Sequence, residues 1–446
     1  MTQTDKITDN LKLIFPWIAI LVGMYIITLL KLPLVVTNVF FVISTFLCML
    51  KVWNNNSENK LEVAIICAGM LVRILVCILD VYGNEYITVP FSGDDSLNFY
   101  NTSVAYYYGD TSQVYTKYPY VLNAIYQITG LNRFAAQYVN ILCWSISALV
   151  MQKSCEMLKI ESKLRVGALL LLSFMPFNIC ISSILMRDML VYLSITLTMY
   201  WLLKWMSTGN YKNIVYAVVI TVPTILLHNC VLAMLLITGV VVALYSPKES
   251  RFCIEKKFVF IFLLGVVSLA AVFMIPQFRE IFLTQIPFAD GGIIEAINGR
   301  LSYFYINTGE STYLKDVYVT SYMGLFFGTI QRIIYFLFSP VPMMWRGISD
   351  MASFCISSGL YILCFMIVFI SVIRKVKDSQ RLVLVSTILC VSAIFAWGVS
   401  NAGTAIRHRE KLLFVTILTI IYCIQMIINK RKSSSSIFST HPGIEE

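Results

Sequence analysis

The chain has 446 residues, of which 58% are hydrophobic and only 13% are charged. A soluble domain carries about twice that charged fraction, so the composition argues against a soluble globular protein. The net charge of +10 does not indicate nucleic-acid binding, because the lysines cluster in short loops between apolar runs.

The apolar runs predict an all-α, polytopic membrane protein with about twelve transmembrane helices, since runs of this length span a bilayer. Open strands are excluded because their backbone groups would be unsatisfied in hydrocarbon. In chain order the predicted spans are 13–30, 33–50, 61–80, 133–152, 166–185, 189–206, 213–228, 230–246, 258–275, 353–373, 382–399 and 412–429.

Lysine and arginine in the short loops predict the orientation. They follow the second, fourth, sixth, eighth and last spans and precede the eleventh. If all these loops are cytoplasmic, both termini are cytoplasmic and residues 1–430 form a single transmembrane helical domain. The polar segment 431–446 is predicted to be a disordered cytoplasmic tail.

Two large outer loops, 81–132 and 276–352, follow from this orientation. The second contains an apolar stretch, 321–339, that is long enough to be a further span. Counting it would move the basic residues of 374–381 outside, and the stretch contains Gln331 and Arg332. We therefore predict that it is re-entrant or interfacial, buried against protein.

The predicted outer side collects ionisable residues, which are costly at membrane depth and by default suggest a site. Arginine offers a rigid fork of donors that matches phosphate oxygens. The alternative is that each arginine pairs with a local carboxylate or a lipid headgroup. The candidate pyrophosphate-binding residues are Arg187, Arg300, Arg332, Arg346, Arg407 and Arg409.

Four other outer residues are candidates for catalysis. Asp94 and Asp95 are adjacent carboxylates, suited to acid/base work or, if any metal is bound, to magnesium or manganese. The alternative is a solvated turn, since Ser-Gly-Asp-Asp is also good turn chemistry. His228 and His408 also lie outside in this topology, although a histidine at a helix end is often a packing residue.

Several short motifs resemble a known group of enzymes. Gly93-Asp94-Asp95, followed by a tyrosine-rich stretch and Tyr118-Pro119-Tyr120, resembles the first outer loop of polyprenyl-phosphate-dependent membrane glycosyltransferases of the GT-C-like group. Arg187-Asp188, Pro340-Val341-Pro342 and the 401–409 segment are similar to bacterial surface-polysaccharide polymerases of the Wzy type.

The resemblance implies transfer of a growing glycan from undecaprenyl pyrophosphate to an incoming lipid-linked repeat unit. The product would be an O-antigen or capsule, made on the outer side of the bacterial cytoplasmic membrane. Asp94, Asp95 or His408 would be the base, and the arginines would hold the pyrophosphates. The implied partners are lipid-linked oligosaccharides, membrane lipids, a chain-length regulator and a flippase.

Two alternatives remain open. A monosaccharide transferase of the same group would use a polyprenyl-phosphate sugar and would depend more on Asp94, Asp95 and a metal. A transporter of polysaccharide or lipid-linked sugar is the non-enzyme alternative. Transporters tend to have internal repeats and broken helices. The predicted spans here are uninterrupted and their polar residues gather at one boundary, which favours surface chemistry.

Overall fold

The computed structural model describes residues 22–23, 26, 29–30, 33–55, 59–112, 114, 116–253, 259–260, 263, 265, 267, 293–307, 309, 311–375 and 378–439. For 50–55, 94, 293, 296, 303–304, 306–307 and 433–439, only the backbone is described. Of the described residues, 79% are helical.

Seventeen α-helices are numbered here in chain order, as far as the described residues extend. They are α1 Leu34–Asn55, α2 Lys60–Tyr82, α3 Asp94–Tyr107, α4 Tyr118–Thr129, α5 Arg133–Met157, α6 Ser162–Phe174, α7 Pro176–Ser183, α8 Asp188–Thr208, α9 Lys212–Ile225, α10 Leu232–Leu244, α11 Ile293–Asn307, α12 Tyr322–Phe338, α13 Ile348–Ser353, α14 Gly359–Ile373, α15 Ser379–Trp397, α16 Ala402–Arg409 and α17 Leu413–Ser439. Short 3-10 turns cover Asn229–Val231, Pro342–Met344 and Glu410–Leu412, and a π-helical turn covers Phe354–Ser358. Two short strands, β1 Tyr245–Ser246 and β2 Arg251–Phe252, pair antiparallel.

Six helical segments among the described residues are long and apolar enough to cross a membrane. They are Lys60–Tyr82, Arg133–Met157, Asp188–Thr208, Ile348–Ile373, Ser379–Trp397 and Ala402–Lys432. Large apolar side chains such as Leu71, Leu75 and Phe369 are exposed on them, which is typical of helices that contact lipid. The chain is therefore an all-α membrane protein, as its composition predicts.

The number of spans is smaller than the predicted twelve by this criterion. The predicted spans 33–50, 213–228 and 230–246 correspond to shorter apolar helices, α1, α9 and α10. Most of the predicted spans 13–30 and 258–275 lies outside the described residues.

The predicted uninterrupted span over 166–185 is wrong. Helices α6 and α7 meet there at a bend of 55°, and the pair counts as one broken span or a re-entrant loop. The cause is Pro176, which has no N–H to donate and which disfavours helical geometry in the residue before it. Met175 is accordingly extended, with φ −64° and ψ 118°.

The contacts divide the described residues into two compact units, and the prediction of a single transmembrane domain stays a prediction. Unit 1 contains the described residues up to Leu149 together with Ser173–Leu190. Unit 2 contains Val150–Leu172 and the described residues from Val191 onward. The last helix continues to Ser439, within the segment that the sequence predicts to be a disordered tail.

Unit 1 is built around Arg73, a fully buried arginine in the middle of α2. Its Nη1 donates to the carbonyl oxygens of Gly69 and Ser173, at 3.0 and 2.8 Å. Its Nε donates to Ser182 Oγ at 2.8 Å, and its Nη2 donates to Asn178 Oδ1 at 2.9 Å. Arg73 therefore satisfies backbone and side-chain acceptors on both sides of the α6–α7 break.

A second buried charge in α2 is the carboxylate of Asp80. It accepts hydrogen bonds from Arg133 Nη2 at 3.1 Å and from Gln137 Nε2 at 2.7 Å. Arg133 and Gln137 both belong to α5, so this ion pair joins the two spanning helices. Buried charges are tolerated when they are paired and hydrogen-bonded in this way.

In unit 2, α17 packs against both α14 and α15, and α12 lies along α15. Helix α12 covers most of the apolar stretch 321–339 and has 17 residues, fewer than the six spanning segments. Its buried residues are Arg332, Phe336 and Leu337, all in its second half. The predicted alternative between a re-entrant and an interfacial position stays open.

The tight approach of α2 to the α6–α7 break depends on Gly69. A Cβ atom at this position would lie 2.7 Å from a ring carbon of Trp144 and 2.8 Å from Ser173 Cβ. Gly167 in α6 is the matched control, because a Cβ atom there meets nothing within 4 Å.

We expect Gly69→Ala to destabilise the protein by about 1–3 kcal/mol through overpacking. Gly167→Ala should stabilise it by up to about 1 kcal/mol through better helix propensity. Thermal unfolding of both variants in detergent measures the difference. Equal midpoints for the two variants would contradict the close approach at Gly69.

Candidate functional site

Four cationic or titratable residues gather where the last spanning helix begins. Asn401 caps α16, and its Oδ1 accepts hydrogen bonds from the backbone N–H groups of Gly403 and Thr404. The helix then brings a polar run into an otherwise apolar segment. We call Arg407, His408, Arg409 and Lys411 the basic cluster.

Three members of the basic cluster are buried. Arg409 and Lys411 are each 1% exposed and His408 is 7% exposed, whereas Arg407 is partly exposed. Burying a cation in an apolar environment is costly unless it is paired or hydrogen-bonded. The contacts of each buried residue therefore indicate what the cluster does.

Arg409 holds the C-terminal end of α12. Its Nη1 donates to the carbonyl oxygens of Phe336 and Leu337 at 3.2 and 2.6 Å, and to Ser358 Oγ at 3.1 Å. A cation is favoured there because the last carbonyls of a helix carry partial negative charge. The Nε and Nη2 atoms of Arg409 are buried and have no hydrogen-bond partner among the described residues.

His408 is stacked within a group of aromatic rings. Its ring lies parallel to that of Phe395 at 4.8 Å between centroids, and Phe395 is stacked in turn on Phe336 at 5.7 Å. The ring of His228 meets the ring of His408 edge-on at 5.3 Å. The structure thus brings together the two histidines that the sequence proposes as catalytic.

Lys411 completes this group. Its Nζ contacts His408 Nδ1 at 2.5 Å and lies 5.1 Å from the centroid of the Phe395 ring. A cation over an aromatic face is attracted by the ring quadrupole. Lys411 is therefore part of the same site as His408 and Arg409.

A segment of the long loop covers this end of unit 2. We call residues 311–320 the strap. The backbone N–H of Tyr313 donates to the carbonyl oxygen of Ser400 at 2.9 Å, and that of Ala402 donates to Ser311 at 3.1 Å. The amide side chain of Asn298 makes two hydrogen bonds with the backbone of Val319.

Tyr313 anchors the strap beside two of the predicted arginines. Its ring is stacked on Tyr335 at 5.4 Å, and its hydroxyl donates to the carbonyl oxygen of Val399 at 3.1 Å. Burial raises the pKa of the Tyr313 phenol, and the positive charges of Arg409 and Arg332 oppose that rise. The phenol is therefore neutral at ordinary pH and remains a hydrogen-bond donor.

Arg332 is buried between the strap and the loop that precedes α16. Its Nη2 donates to Tyr305 Oη at 2.7 Å and to the carbonyl oxygen of Val317, while Nη1 donates to Ser400 Oγ. The guanidinium also lies over the ring of Trp397. These contacts make Arg332 a brace for the strap, and its predicted role in binding phosphate stays a prediction.

The other two predicted arginines of unit 2 are more exposed. Arg300 is exposed on α11, and a Cβ atom placed on Gly398 would lie 3.7 Å from its Nη2. Arg346 is exposed, and its Nε lies 3.5 Å from an oxygen of Asp350. The structure therefore places Arg300 near the loop before α16, and Arg346 in a local ion pair of the kind that the sequence leaves open.

The remaining predicted residues belong to unit 1. Asp94 is the first residue of α3, and its side chain lies outside the described part of the protein. Asp95 follows it and is exposed. Arg187 is partly buried before α8, with its guanidinium 5.7 Å from the centroid of the Phe99 ring. Among the described residues, no group of three or more histidine, cysteine or acidic side chains is arranged to hold a metal ion.

Sequence reasoning missed three residues that the structure associates with the site. Glu410 and Lys411 directly follow the predicted 401–409 motif, and both are buried. Two charged residues that follow Arg409 in the sequence could have indicated that the polar site extends beyond the motif. Tyr313 lies among many loop tyrosines, and its sequence context gives no sign of its burial between two arginines.

No protein-family model, curated protein or solved structure matches this chain.

We expect Tyr313→Phe to lower the free energy of unfolding by about 1–3 kcal/mol, because the buried Val399 carbonyl loses its donor. Tyr322→Phe is the matched control, since Tyr322 is 73% exposed. Thermal unfolding in detergent measures both variants. If both unfold like the parent protein, the strap does not depend on the Tyr313 hydroxyl.

Proposed function

We propose that this protein is a membrane glycosyltransferase that polymerises lipid-linked oligosaccharide repeat units into a surface polysaccharide. The observation that carries the proposal is the buried basic cluster, with two nitrogens of Arg409 that have no protein acceptor among the described residues. Undecaprenyl pyrophosphate is the carrier that the sequence resemblance suggests. The proposal rests on the match between that carrier and the cluster.

The charges of the cluster favour an anionic ligand. Arg407, Arg409 and Lys411 carry three positive charges within a stretch that contains one carboxylate, Glu410. Guanidinium groups match phosphate oxygens in a bidentate geometry. A pyrophosphate attached to a lipid would reach this region from the bilayer and would offset the cost of burying the cations.

The reaction needs a positive site for its leaving group. A hydroxyl oxygen of the acceptor sugar forms a new bond to the anomeric carbon of the growing glycan. The bond between that carbon and the phosphate oxygen breaks, and its electron pair stays on the pyrophosphate. The hydroxyl proton passes to a base. Donors aimed at the developing charge of the phosphate supply the main catalytic effect.

The residue roles follow the chemistry of each group. Arg407 and Arg409 would bind pyrophosphate. The further candidates for that role are Arg300, Arg332 and Arg346 of unit 2 and, separately, Arg187 of unit 1. Asp94, Asp95, His228 and His408 are the candidates for acid/base work. A divalent cation, magnesium or manganese, would bind at Asp94 and Asp95 if the reaction uses one.

The proposed topology has twelve spans, both termini in the cytoplasm and the loops 81–132 and 276–352 outside. The distribution of lysine and arginine supports it. The bacterial cytoplasmic membrane is the location that the proposed substrate requires. A flippase that delivers the repeat units and a chain-length regulator are the proposed partners.

A transporter is the second candidate, and the α6–α7 break favours it. Broken helices line the substrate sites of many transporters. Here Arg73 donates to the groups that the break exposes, which supports a braced bend rather than a permeation site. A transferase of single sugars stays the third candidate because it would share the phosphate chemistry.

Cysteine labelling tests the topology. In intact cells, a membrane-impermeant maleimide should label Tyr108→Cys, because Tyr108 is 74% exposed in the proposed outer loop. Asp378→Cys should react only after the cells are permeabilised. The parent protein, with its own cysteines, gives the background. Labelling of Asp378→Cys in intact cells would refute the proposed orientation.

Surface-glycan gels test the activity in a strain that lacks the protein and is complemented with variants. We expect Arg407→Lys and Arg409→Lys to reduce long-chain polymer about 100-fold or more, because lysine cannot reproduce the guanidinium fork. Arg251→Lys is the control, since Arg251 is exposed and paired with Glu249. Immunoblots of the membrane fraction check that each variant accumulates.

The gel pattern of the deletion strain separates the candidates. A glycan of one complete repeat supports the polymerase, and a truncated repeat supports a single-sugar transferase. Loss of all surface glycan supports a transporter. A wild-type ladder from both cluster variants would exclude the proposed pyrophosphate site.

A further inference from the structure

We infer that His408 acts as a hydrogen-bond donor through Nε2, and that Lys411 is the positioning residue that holds it in this tautomer. The inference rests on the proposed function, and it narrows the role of one residue in the site. Lys411 lies outside the 401–409 motif, and the inference gives it a role in positioning His408. If His408 donates through Nε2, it contacts the pyrophosphate oxygens rather than the acceptor hydroxyl.

The contact between Lys411 Nζ and His408 Nδ1 carries the first step. A lysine ammonium group has three hydrogens to donate and no lone pair to accept with. With Lys411 as an ammonium ion, Nδ1 is the acceptor in this hydrogen bond. In a neutral imidazole whose Nδ1 accepts, the hydrogen is on Nε2.

Most of the charged groups near the ring are cations. His408 is buried beside the ammonium of Lys411, and Arg407 and Arg409 are its neighbours in the chain. Glu410 is the one carboxylate in this run, and His228 is the second imidazole that faces the ring. Nearby positive charges and burial both disfavour a further positive charge on an imidazole.

The packing of the ring fixes its orientation. One side is stacked on Phe395, with an interplanar angle of 19°, and His228 meets it edge-on at 78°. Lys411 is itself held close to the ring of Phe395. A half turn of the ring about its Cβ–Cγ bond would keep the stacking but would move Nδ1 away from Lys411, so the lysine contact fixes the position of Nε2.

In the reaction, His408 would therefore stabilise the leaving group, and a different residue would remove the proton of the acceptor hydroxyl. As the bond between the anomeric carbon and the phosphate oxygen breaks, negative charge grows on that oxygen. The Nε2–H group of His408 donates a hydrogen bond to it, in parallel with the arginine guanidiniums. The proton of the acceptor hydroxyl then goes to another base, and within unit 2 the acid/base candidate that remains is His228.

Three substitutions of His408 test the role. In glutamine the amide nitrogen takes the position of Nε2 and can donate, whereas in asparagine it takes the position of Nδ1. We expect His408→Gln to retain polymer within about 10-fold of the parent protein, and His408→Asn and His408→Ala to lose about 100-fold. A His408→Gln variant as inactive as His408→Ala, at equal abundance in the membrane, overturns the donor role.

A spectroscopic measurement tests the role of Lys411 without activity. The chain has only three histidines, so ¹⁵N-histidine NMR of the full protein in nanodiscs gives few signals. His408→Gln assigns the signal of His408 by its loss. We expect a neutral ring protonated at Nε2 in the parent protein, and a mixture of tautomers in Lys411→Met. A ring protonated at Nδ1, or at both nitrogens, overturns the inference.

The two experiments separate this inference from the proposed function. If Arg407→Lys and Arg409→Lys lose polymer while His408→Gln behaves like His408→Ala, the polymerase stands and the donor role fails. If the arginine variants keep a wild-type ladder, the polymerase itself fails. In that case the NMR result still decides the tautomer.

Discussion

The guanidinium of Arg409 is the interaction on which the candidate site depends. It joins the start of the last spanning segment to the final carbonyls of α12, where a helix presents acceptors that its own backbone cannot satisfy. Since α12 also carries Arg332, the same contact fixes the brace beneath the strap. The stacked rings of Phe336 and Phe395 then set the place of His408. A single buried cation thus orders an apolar helix, a loop and a catalytic candidate.

Both units solve the same problem with arginine. Hydrocarbon provides no water for exposed backbone groups, so each irregularity of a helix must be satisfied by the protein. In unit 1 the irregularity is the bend at Pro176, and Arg73 supplies donors to it. In unit 2 it is the end of α12, and Arg409 does so. The two arginines differ in their unsatisfied donors, because two nitrogens of Arg409 have no protein acceptor among the described residues.

Local sequence patterns predicted the class of the protein and named some of the residues that the structure brings together. His408 and Arg409 were proposed because they lie in the predicted outer loop between the last two spans, and the structure brings His408 next to His228, the other histidine of that predicted side. Arg73 was missed because its partners lie about a hundred residues further along the chain, where no local pattern connects them. The break at Pro176 was missed because the hydropathy of 166–185 is continuous. Hydropathy does not report that proline lacks an N–H and disfavours helical geometry in the residue before it.

The partners of Arg73 also constrain how the protein is made. Ser173 follows Arg73 by 100 residues, so α2 leaves the ribosome well before the groups of α6 and α7 that accept hydrogen bonds from its guanidinium. Until α6 and α7 are synthesised, this helix carries an uncompensated charge, which disfavours its release into lipid. Biogenesis therefore requires that α2 stays beside the insertion machinery, or that its arginine reaches the headgroups, until the broken helix arrives. Helix α2 and the broken helix α6–α7 are therefore expected to enter the bilayer together.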